Sequence, residues 1–517
     1  MIDNVWLGLQ HAATWVNLWY CFVGVFIGTL IGVLPGIGSV ATIAMLLPFT
    51  FSLQPTSAVI MLAGVYYGGA YGGSTTSILL NVPGQPSAAV CCLDGYPMAR
   101  QGRAGVALLG AAVGSFVGAS MGILLMMFAS EPIAEFALEF GPAEYVSMMT
   151  LGLIASATIS GSSPMKGVAT TIIGVLFGLM GTDVNSGTVR YAFGIPELSD
   201  GIGLAIIAMS IFGVTEMIDS VGKVDSTQID PKAVTLRGMI PTRDDVRRFW
   251  GSTLRGSAIG SVMGAIPGFG GLVTCFAAYA VEKAIAKDPS RFGKGAIEGV
   301  VSPESANNAS DQTHFIPTMT LGIPSGATMA LIIGALMIHG IAPGPQLVTE
   351  KPELFWGLIM SFWIGNIMLV ILNLPLIGIW VKLLAVPYHI LYPIIMTFIC
   401  IGAYSINNNP WDIWVCAGFG LVGYIFRLLT LPPAPLILGY VLGPLLEEYL
   451  RRAMLLSRGQ VMPLFERPIA GTMFAITTIL LIWTIYVTLR GRRGALIKVE
   501  VPEVVVEENR KGTGGGG

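Results

Sequence analysis

Twice along this chain a ladder of glycines runs into a prolyl-glycine step. Gly24, Ile27, Gly28, Gly32, Pro35, Gly36 and Gly38 recur, 232 residues later, as Gly256, Ile259, Gly260, Gly264, Pro267, Gly268 and Gly270. Seven identities at one offset, within apolar sequence, mark an internal duplication. The motif also restricts the backbone. Proline lacks an N–H and clashes with the turn before it, while glycine admits unusual angles, so each ladder is expected to end in a broken helix. Interrupted helices in a duplicated apolar chain are the pattern of a secondary transporter, which holds substrate and ions at such breaks.

Composition places the breaks in a membrane. Hydrophobic residues make up 53% of the 517 and charged ones 11%, against about 25% charged in an average soluble domain. The expected fold class is therefore an all-α polytopic membrane protein. Between Trp15 and Tyr486 the sequence offers roughly eleven to thirteen segments near the length of about 20 residues that a span needs. The first, starting near Ala12, has no basic n-region and no small-residue cleavage site, and is expected to remain as a span. Six cysteines and four histidines are scattered without metal-ligand spacing. Cys91 and Cys92 read as two small buried groups rather than a redox pair. A net charge of −2 points to no nucleic-acid partner, and no cofactor is expected.

Charge then orders the chain. The stretch from Val221 to Arg248 has Lys223, Lys232, Arg237, Arg243, Arg247 and Arg248 and no long apolar run. It reads as a cytoplasmic loop. Residues 1–220 are assigned to a first transmembrane repeat with its following spans, 221–252 to a cytoplasmic linker, 253–490 to the second repeat and its spans, and 491–517 to a solvated tail. A second basic loop, Glu282 to Lys294, should lie on the cytoplasmic side as well. Two such loops flank Thr253 to Val281, which favours a re-entrant hairpin there over a single broken span. In the first unit the loop from Phe49 to Thr56 is uncharged and Arg100 and Arg103 follow later; in the second unit the later loop, Gly340 to Glu353, is not basic. Basic character has swapped places. This is the pattern of an inverted-topology repeat with Pro-Gly broken helices and re-entrant hairpins.

Each ladder is followed by a second proline break, at Asn81-Val82-Pro83-Gly84 and at Gly322-Ile323-Pro324-Ser325-Gly326. Ahead of these breaks lie Ser74, Thr75, Thr76 and Ser77 in one unit, and Glu304, Asn307, Asn308, Asp311 and His314 in the other. An ionised Asp at a helix centre costs roughly 2.5 to 3.5 kcal/mol on an insertion scale, so Glu304 and Asp311 require a partner, a cation or water. An aqueous loop is the alternative for 302–314, and helix packing the alternative for Ser74 to Ser77. Half-helices restarting after Pro35-Gly36 and Pro267-Gly268 offer unpaired N–H groups to a carboxylate. The expected substrate-binding set is Pro35, Gly36, Gly38, Ser74, Thr75, Thr76, Asn81, Pro267, Gly268, Gly270, Asn307, Asn308, Pro324, Ser325 and Gly326. Candidate ligands for a coupling cation are Ser77, Asn308, Asp311, Thr318 and Thr320, with Na⁺ the metal ion in view and H⁺ the alternative. No Lys or Arg lies inside the four broken motifs. Moving a dianion inward against about 100 mV costs about 4.6 kcal/mol, so import calls for accompanying cations.

At these motifs the chain resembles the large permease subunit of the tripartite tricarboxylate transporters, the TctA family. The resemblance covers about Gly24 to Arg458 and rests on Leu34-Pro35-Gly36-Ile37-Gly38, Tyr67-Gly68-Gly69-Ala70-Tyr71-Gly72-Gly73-Ser74, Asn81-Val82-Pro83-Gly84 and Asp94-Gly95-Tyr96-Pro97-Met98-Ala99. It continues through Gly181-Thr182-Asp183, Pro303-Glu304-Ser305-Ala306-Asn307-Asn308-Ala309 and Leu321-Gly322-Ile323-Pro324. Ser325 departs from the glycine that the family often has there. The resemblance implies cation-driven import of di- or tricarboxylates such as citrate across the bacterial inner membrane, with a small membrane subunit of the TctB type and a periplasmic binding protein of the TctC type. A channel, or a transporter of another small organic anion, is the competing class. A membrane enzyme is disfavoured because only His314 beside Asp311 pairs an acid with a base in polar sequence. Asp183 and Arg190 read as a loop-stabilising pair, and Lys166 and Arg427 as snorkelling anchors.

Overall fold

The computed structural model describes residues 2–34, 38–159, 163–183, 185–220, 236–267, 270–384 and 388–489. Pro35, Gly36 and Gly268, residues 221–235 of the expected linker and the tail lie outside the described residues.

The first unit comprises α1 (Ile2–Ala12), α2 (Trp15–Val33), α3 (Gly38–Thr50), α4 (Pro55–Leu80), α5 (Ala89–Met98) and α6 (Ala104–Ala137). It is followed by α7 (Pro142–Ile159), α8 (Pro164–Gly178), a short hairpin of β1 (Gly181–Thr182) and β2 (Val189–Arg190), α9 (Leu204–Ala208) and α10 (Thr215–Ser220). The second unit has α11 (Arg243–Gly264), α12 (Gly271–Ile285), α13 (Glu298–Thr313), α14 (Phe315–Thr320), α15 (Ala327–Ile338), α16 (Pro345–Glu350) and α17 (Pro352–Asn373). Then come α18 (Ile377–Leu383), α19 (Tyr388–Asn407), α20 (Trp411–Leu428), α21 (Ala434–Leu456), α22 (Pro463–Glu466) and α23 (Pro468–Leu489). The chain is thus an all-α membrane protein. Five helical stretches are long and apolar enough to cross a bilayer, and four apolar helices among the described residues are shorter. The difference from the expected span number arises because breaks divide several segments, and because α4 and α13 carry polar runs.

Local signals set the ends. Thr14 caps α2 by accepting from the Asn17 N–H. Asp245 and Thr242 form a reciprocal capping box, which starts α11 at Arg243, inside the stretch expected to be loop. Pro55 opens α4, and Asn81 closes it in the left-handed conformation at φ 58°.

The ladder glycines are packing rungs. A Cβ on Gly24, Gly28 or Gly32 would lie 2.3–2.6 Å from the carbonyl oxygens of Met61, Val65 and Gly69 on α4. On Gly256 and Gly260 it would lie 2.3 and 2.2 Å from those of Ser302 and Ala306 on α13, and on Gly264 it would be 2.6 Å from the Ser310 Cα. Only glycine allows these backbones so close. Both sets of rungs ascend together, so α2 runs parallel to α4, and α11 parallel to α13, with α3 and α12 returning between them. At the far end of the second pair, Arg255 on α11 bonds Glu282 on α12 at 2.7 and 2.8 Å. Arg248 on α11 and Arg291 beyond α12 both reach Glu298.

The units meet through α4 and α13. Tyr66 lies beside His314, whereas Ser74 meets Glu304, so these two helices run in opposite directions. α6 lays Gly118 and Gly122 on the carbonyls of Ser305 and Ala309, enclosing the other side of α13. α3 packs on α15 and α12 on the segment between α4 and α5, so each returning helix packs on the element that follows the other unit's second break. Outside this core, α23 exposes Ile479, Ile482 and Trp483, as a lipid-facing helix would.

Candidate functional site

α13 is the most polar buried element of the chain. Its residues from Gly299 to Thr313 are all buried, although they include Glu304, Asn307, Asn308, Asp311 and Gln312. Burial of this kind requires partners. They come from the first unit.

Glu304 is 1% exposed and forms no salt bridge among the described residues. Its carboxylate accepts from the Ser115 hydroxyl at 3.0 Å, the Cys91 thiol at 3.0 Å and the Asn308 amide at 3.2 Å. The Ser74 hydroxyl is a further donor. Asn308 also donates to Ser115 Oγ at 2.9 Å. Thr75 borders the same cluster, where Tyr71, Ser74, Thr75, Ser115 and Asn373 line one small cavity. Ser74 and Asn308, both expected from sequence, are therefore brought together around a carboxylate.

A second cluster lies two turns further along α13. Asp311 engages the hydroxyl of Tyr66, which also lies 3.0 Å from Nδ1 of His314. Asn307 sits against the start of α12: a Cβ on Gly271 would lie 3.0 Å from Asn307 Oδ1 and 3.9 Å from Asp311 Oδ1. Both amide atoms of Asn307, Oδ1 of Asn308 and Oε1 of Gln312 are buried and have no hydrogen-bond partner among the described residues. A native core rarely leaves such a group idle, and these four amide atoms make α13 the candidate site.

Gly38, which opens α3, and Gly270, which caps α12, differ from the ladder glycines: a Cβ at either, or at Gly326 in the second break, would meet nothing within 4 Å among the described residues. The broken ends face open space. Pro267 is half-buried at the end of α11. Pro324 and Ser325 are buried, and Ser325 Oγ lies 3.5 Å from the His314 carbonyl, to which Thr318 also donates at 2.7 Å.

Other expected residues stand apart. Thr76 donates to the Val33 carbonyl at 2.7 Å and so belongs to the α2–α4 seam. Ser77 and Thr320 bond carbonyls one turn back in their own helices. Asn81 is exposed in its cap. Tyr66, Cys91 and Ser115 were not among the expected site residues. Tyr66 adjoins the quoted glycine-rich polar run, and Ser115 lies within a four-residue glycine spacing on α6, which signals a close helix contact.

Away from the site, Asp183 pairs with Arg190 and, at 2.8 Å, with Arg451, while Arg190 bonds Glu447 at 2.8 Å. This is the loop-stabilising pair expected, enlarged to four residues. Lys166 donates to the Leu429 carbonyl, closing α20. Arg427 is ion-paired with Glu216 and Asp219 at 2.5 and 2.7 Å, so it ties α20 to α10 and is not a simple snorkelling anchor.

Residues 18–438 match the model of the tripartite tricarboxylate transporter TctA family. An uncharacterized 52.8 kDa protein in the TAR-I ttuC' 3' region of Agrobacterium vitis is 48% identical over 493 residues, covering 95% of this chain and 98% of that protein. An uncharacterized protein in the TAR-II ttuC' 3' region of the same organism is 53% identical over 234 residues, 45% of this chain and 97% of its own length. The chain belongs to the tripartite tricarboxylate transporter TctA family.

Proposed function

We propose that this chain is the large permease subunit of a cation-coupled secondary transporter that imports di- or tricarboxylates such as citrate by alternating access. The observation that carries the reading is the start of α12, just after the second unit's first break, lying beside buried, unpartnered amide atoms of α13. Family membership supports it. The substrate carboxylates are held at the restarting ends of α3 and α12, by the backbone around Gly38, Gly270 and Gly326 and by Asn307 and Asn308. Helix starts supply N–H groups and a partial positive charge, which suits an anion in a region without Lys or Arg.

We further infer an inverted-topology repeat with two re-entrant hairpins. Its support is the parallel course of α2 with α4 and of α11 with α13, the opposed course of α4 and α13, and the exchange of contacts by α3 and α12. Such a pair can rock about a fixed central site. Its partners are a small membrane subunit of the TctB type and a periplasmic binding protein of the TctC type, in the bacterial inner membrane. Residues 1–220 and 253–490 form the two units, joined by a cytoplasmic linker at 221–252.

The test is uptake of labelled citrate and other di- and tricarboxylates into proteoliposomes containing all three components. Accumulation driven by a Na⁺ or H⁺ gradient is the expected result. Unitary currents, or no gradient-driven uptake of any carboxylate, would overturn the reading.

A further inference from the structure

The Tyr66 hydroxyl joins two titratable groups of the opposite unit. Nδ1 of His314 lies 3.0 Å from it, and the Asp311 carboxylate engages it too. A phenol has one hydrogen to donate, and its oxygen accepts any second hydrogen bond. If Tyr66 donates to Asp311, then Nδ1 must carry a hydrogen and give it to the phenol oxygen. If Tyr66 donates to Nδ1, then Asp311 must be a carboxylic acid that donates to the phenol. The two directions of the chain are two positions of one proton.

We propose that His314, Tyr66 and Asp311 form a proton relay, and that the proton it places on Asp311 is the coupling ion. This deepens the permease reading and rests on it. A proton binds Nε2 of a neutral His314 that carries its hydrogen on Nδ1. The Nδ1 hydrogen passes to the Tyr66 oxygen while the Tyr66 hydrogen passes to Asp311. New N–H, phenol O–H and carboxyl O–H bonds replace the old Nδ1–H and phenol O–H bonds. His314 ends neutral with its hydrogen on Nε2, Tyr66 is restored, and Asp311 has gained one proton.

Position gives that proton its effect. Asp311 stands at the start of the 15-residue helix α12, beside Asn307, which is 1% exposed with both amide atoms unpartnered. The free N–H groups of the first turn favour an anion there. An ionised Asp311 supplies that anion itself and repels a substrate carboxylate; a protonated Asp311 does neither. The titratable groups facing Asp311 are Tyr66 from α4, Cys275 from α12 and Glu304 from its own helix, with His314 of the succeeding turn reached across Tyr66. None is a fixed cation. The hydroxyl hydrogens of Ser77, Thr318 and Thr320 go to carbonyls one turn back in their own helical segments, which gives no sign of a set converging on a metal ion. Proton and carboxylate binding therefore reinforce each other, and by linkage each raises the affinity for the other equally.

The experiment is infrared pH-difference spectroscopy of the purified three-component complex, with citrate affinity followed by calorimetry across the same pH range. A carboxylic acid C=O band should titrate, vanish in Asp311→Asn, and shift in frequency in Tyr66→Phe, which removes the hydrogen bond and leaves the acid. Citrate affinity should fall about 5- to 150-fold as pH rises through that titration, the usual span of a coupling free energy, and Asp311→Asn should flatten the dependence. An unchanged band in Asp311→Asn, or Na⁺-driven citrate uptake that ignores pH, overturns the relay and leaves the permease reading in place. Absence of carboxylate uptake under either gradient overturns the permease reading instead, whatever Asp311 titrates.

Discussion

α4 and α13 occupy equivalent places in the duplicated sequence, and each packs by the same spacing of close contacts against a glycine ladder. Their chemistry differs. α4 brings phenols and small hydroxyls and no charge, while α13 brings three carboxylates, Glu298, Glu304 and Asp311, and four amide-bearing or imidazole groups in and just beyond it. The pairing across the interface follows from that difference. Ser74 engages Glu304, and Tyr66 engages Asp311. Duplication supplied two similar frames, and the site arises because one frame donates hydrogen bonds while the other carries the acceptors.

The comparison breaks most readily at the rungs. Gly260→Leu places side-chain bulk where a Cβ already lies 2.2 Å from the Ala306 carbonyl, and Gly24→Leu does the same against Met61. Even the smaller Gly260→Ala is expected to cost about 1–3 kcal/mol, the range for overpacking. The Leu variants should yield little folded protein in thermal unfolding after purification, equally in both units if the two seams are equivalent.

Next comes the one-sided chemistry. Glu304→Ala leaves the Ser115 hydroxyl and the Cys91 thiol without their acceptor, at about 1–3 kcal/mol for each buried donor left unpaired, while Asn308 keeps Ser115 Oγ and the residue-304 carbonyl. Glu304→Gln keeps shape and one acceptor and should lose less, as read from the unfolding midpoint. Asn308→Ala should insert and fold, yet weaken cation-dependent uptake; uptake kinetics matching the parent would remove this segment from the site.

The glycines of the breaks should show the reverse of the rungs. Gly270 and Gly326 have ordinary extended backbone and open space about them. Alanine at either should change stability by less than about 0.5 kcal/mol, while uptake falls where bound carboxylate needs the bare backbone. The smallest effect lies outside the site. The Asn185 N–H, then the Ser186 hydroxyl, hold Asp183 below the usual carboxylate range. A lowered folded-state pKa gives stability that is present above the ordinary value and lost as pH falls through the folded one. Asp183→Asn should therefore lower the unfolding midpoint at neutral pH, and the deficit should shrink on acidification.

Much of this was legible in the sequence because the ladder combines composition with spacing. Glycine every fourth residue announces a close helix contact, and Pro-Gly announces where it stops. Asn307, Asn308 and Asp311 stood out because amides and carboxylates are costly at membrane depth. Their partners were harder to find. Ser115 and Cys91 are single small polar groups in apolar helices, ordinary until a fold brings Glu304 to them. Thr76, Ser77 and Thr320 illustrate the opposite error, since a hydroxyl in a membrane helix can satisfy itself on a nearby carbonyl and then says little about ligands.

The most direct test of the central claim, that the breaks of both units face one alternately exposed site, is side-specific thiol labelling. Gly38→Cys, Gly270→Cys and Gly326→Cys, each in an otherwise cysteine-free chain assembled with its partners in oriented proteoliposomes, would be exposed to a membrane-impermeant reagent. The account predicts that all three react from one face at a time, and that citrate with a cation gradient moves reactivity to the other face together. Labelling from both faces at once, or sites that switch independently, would contradict it.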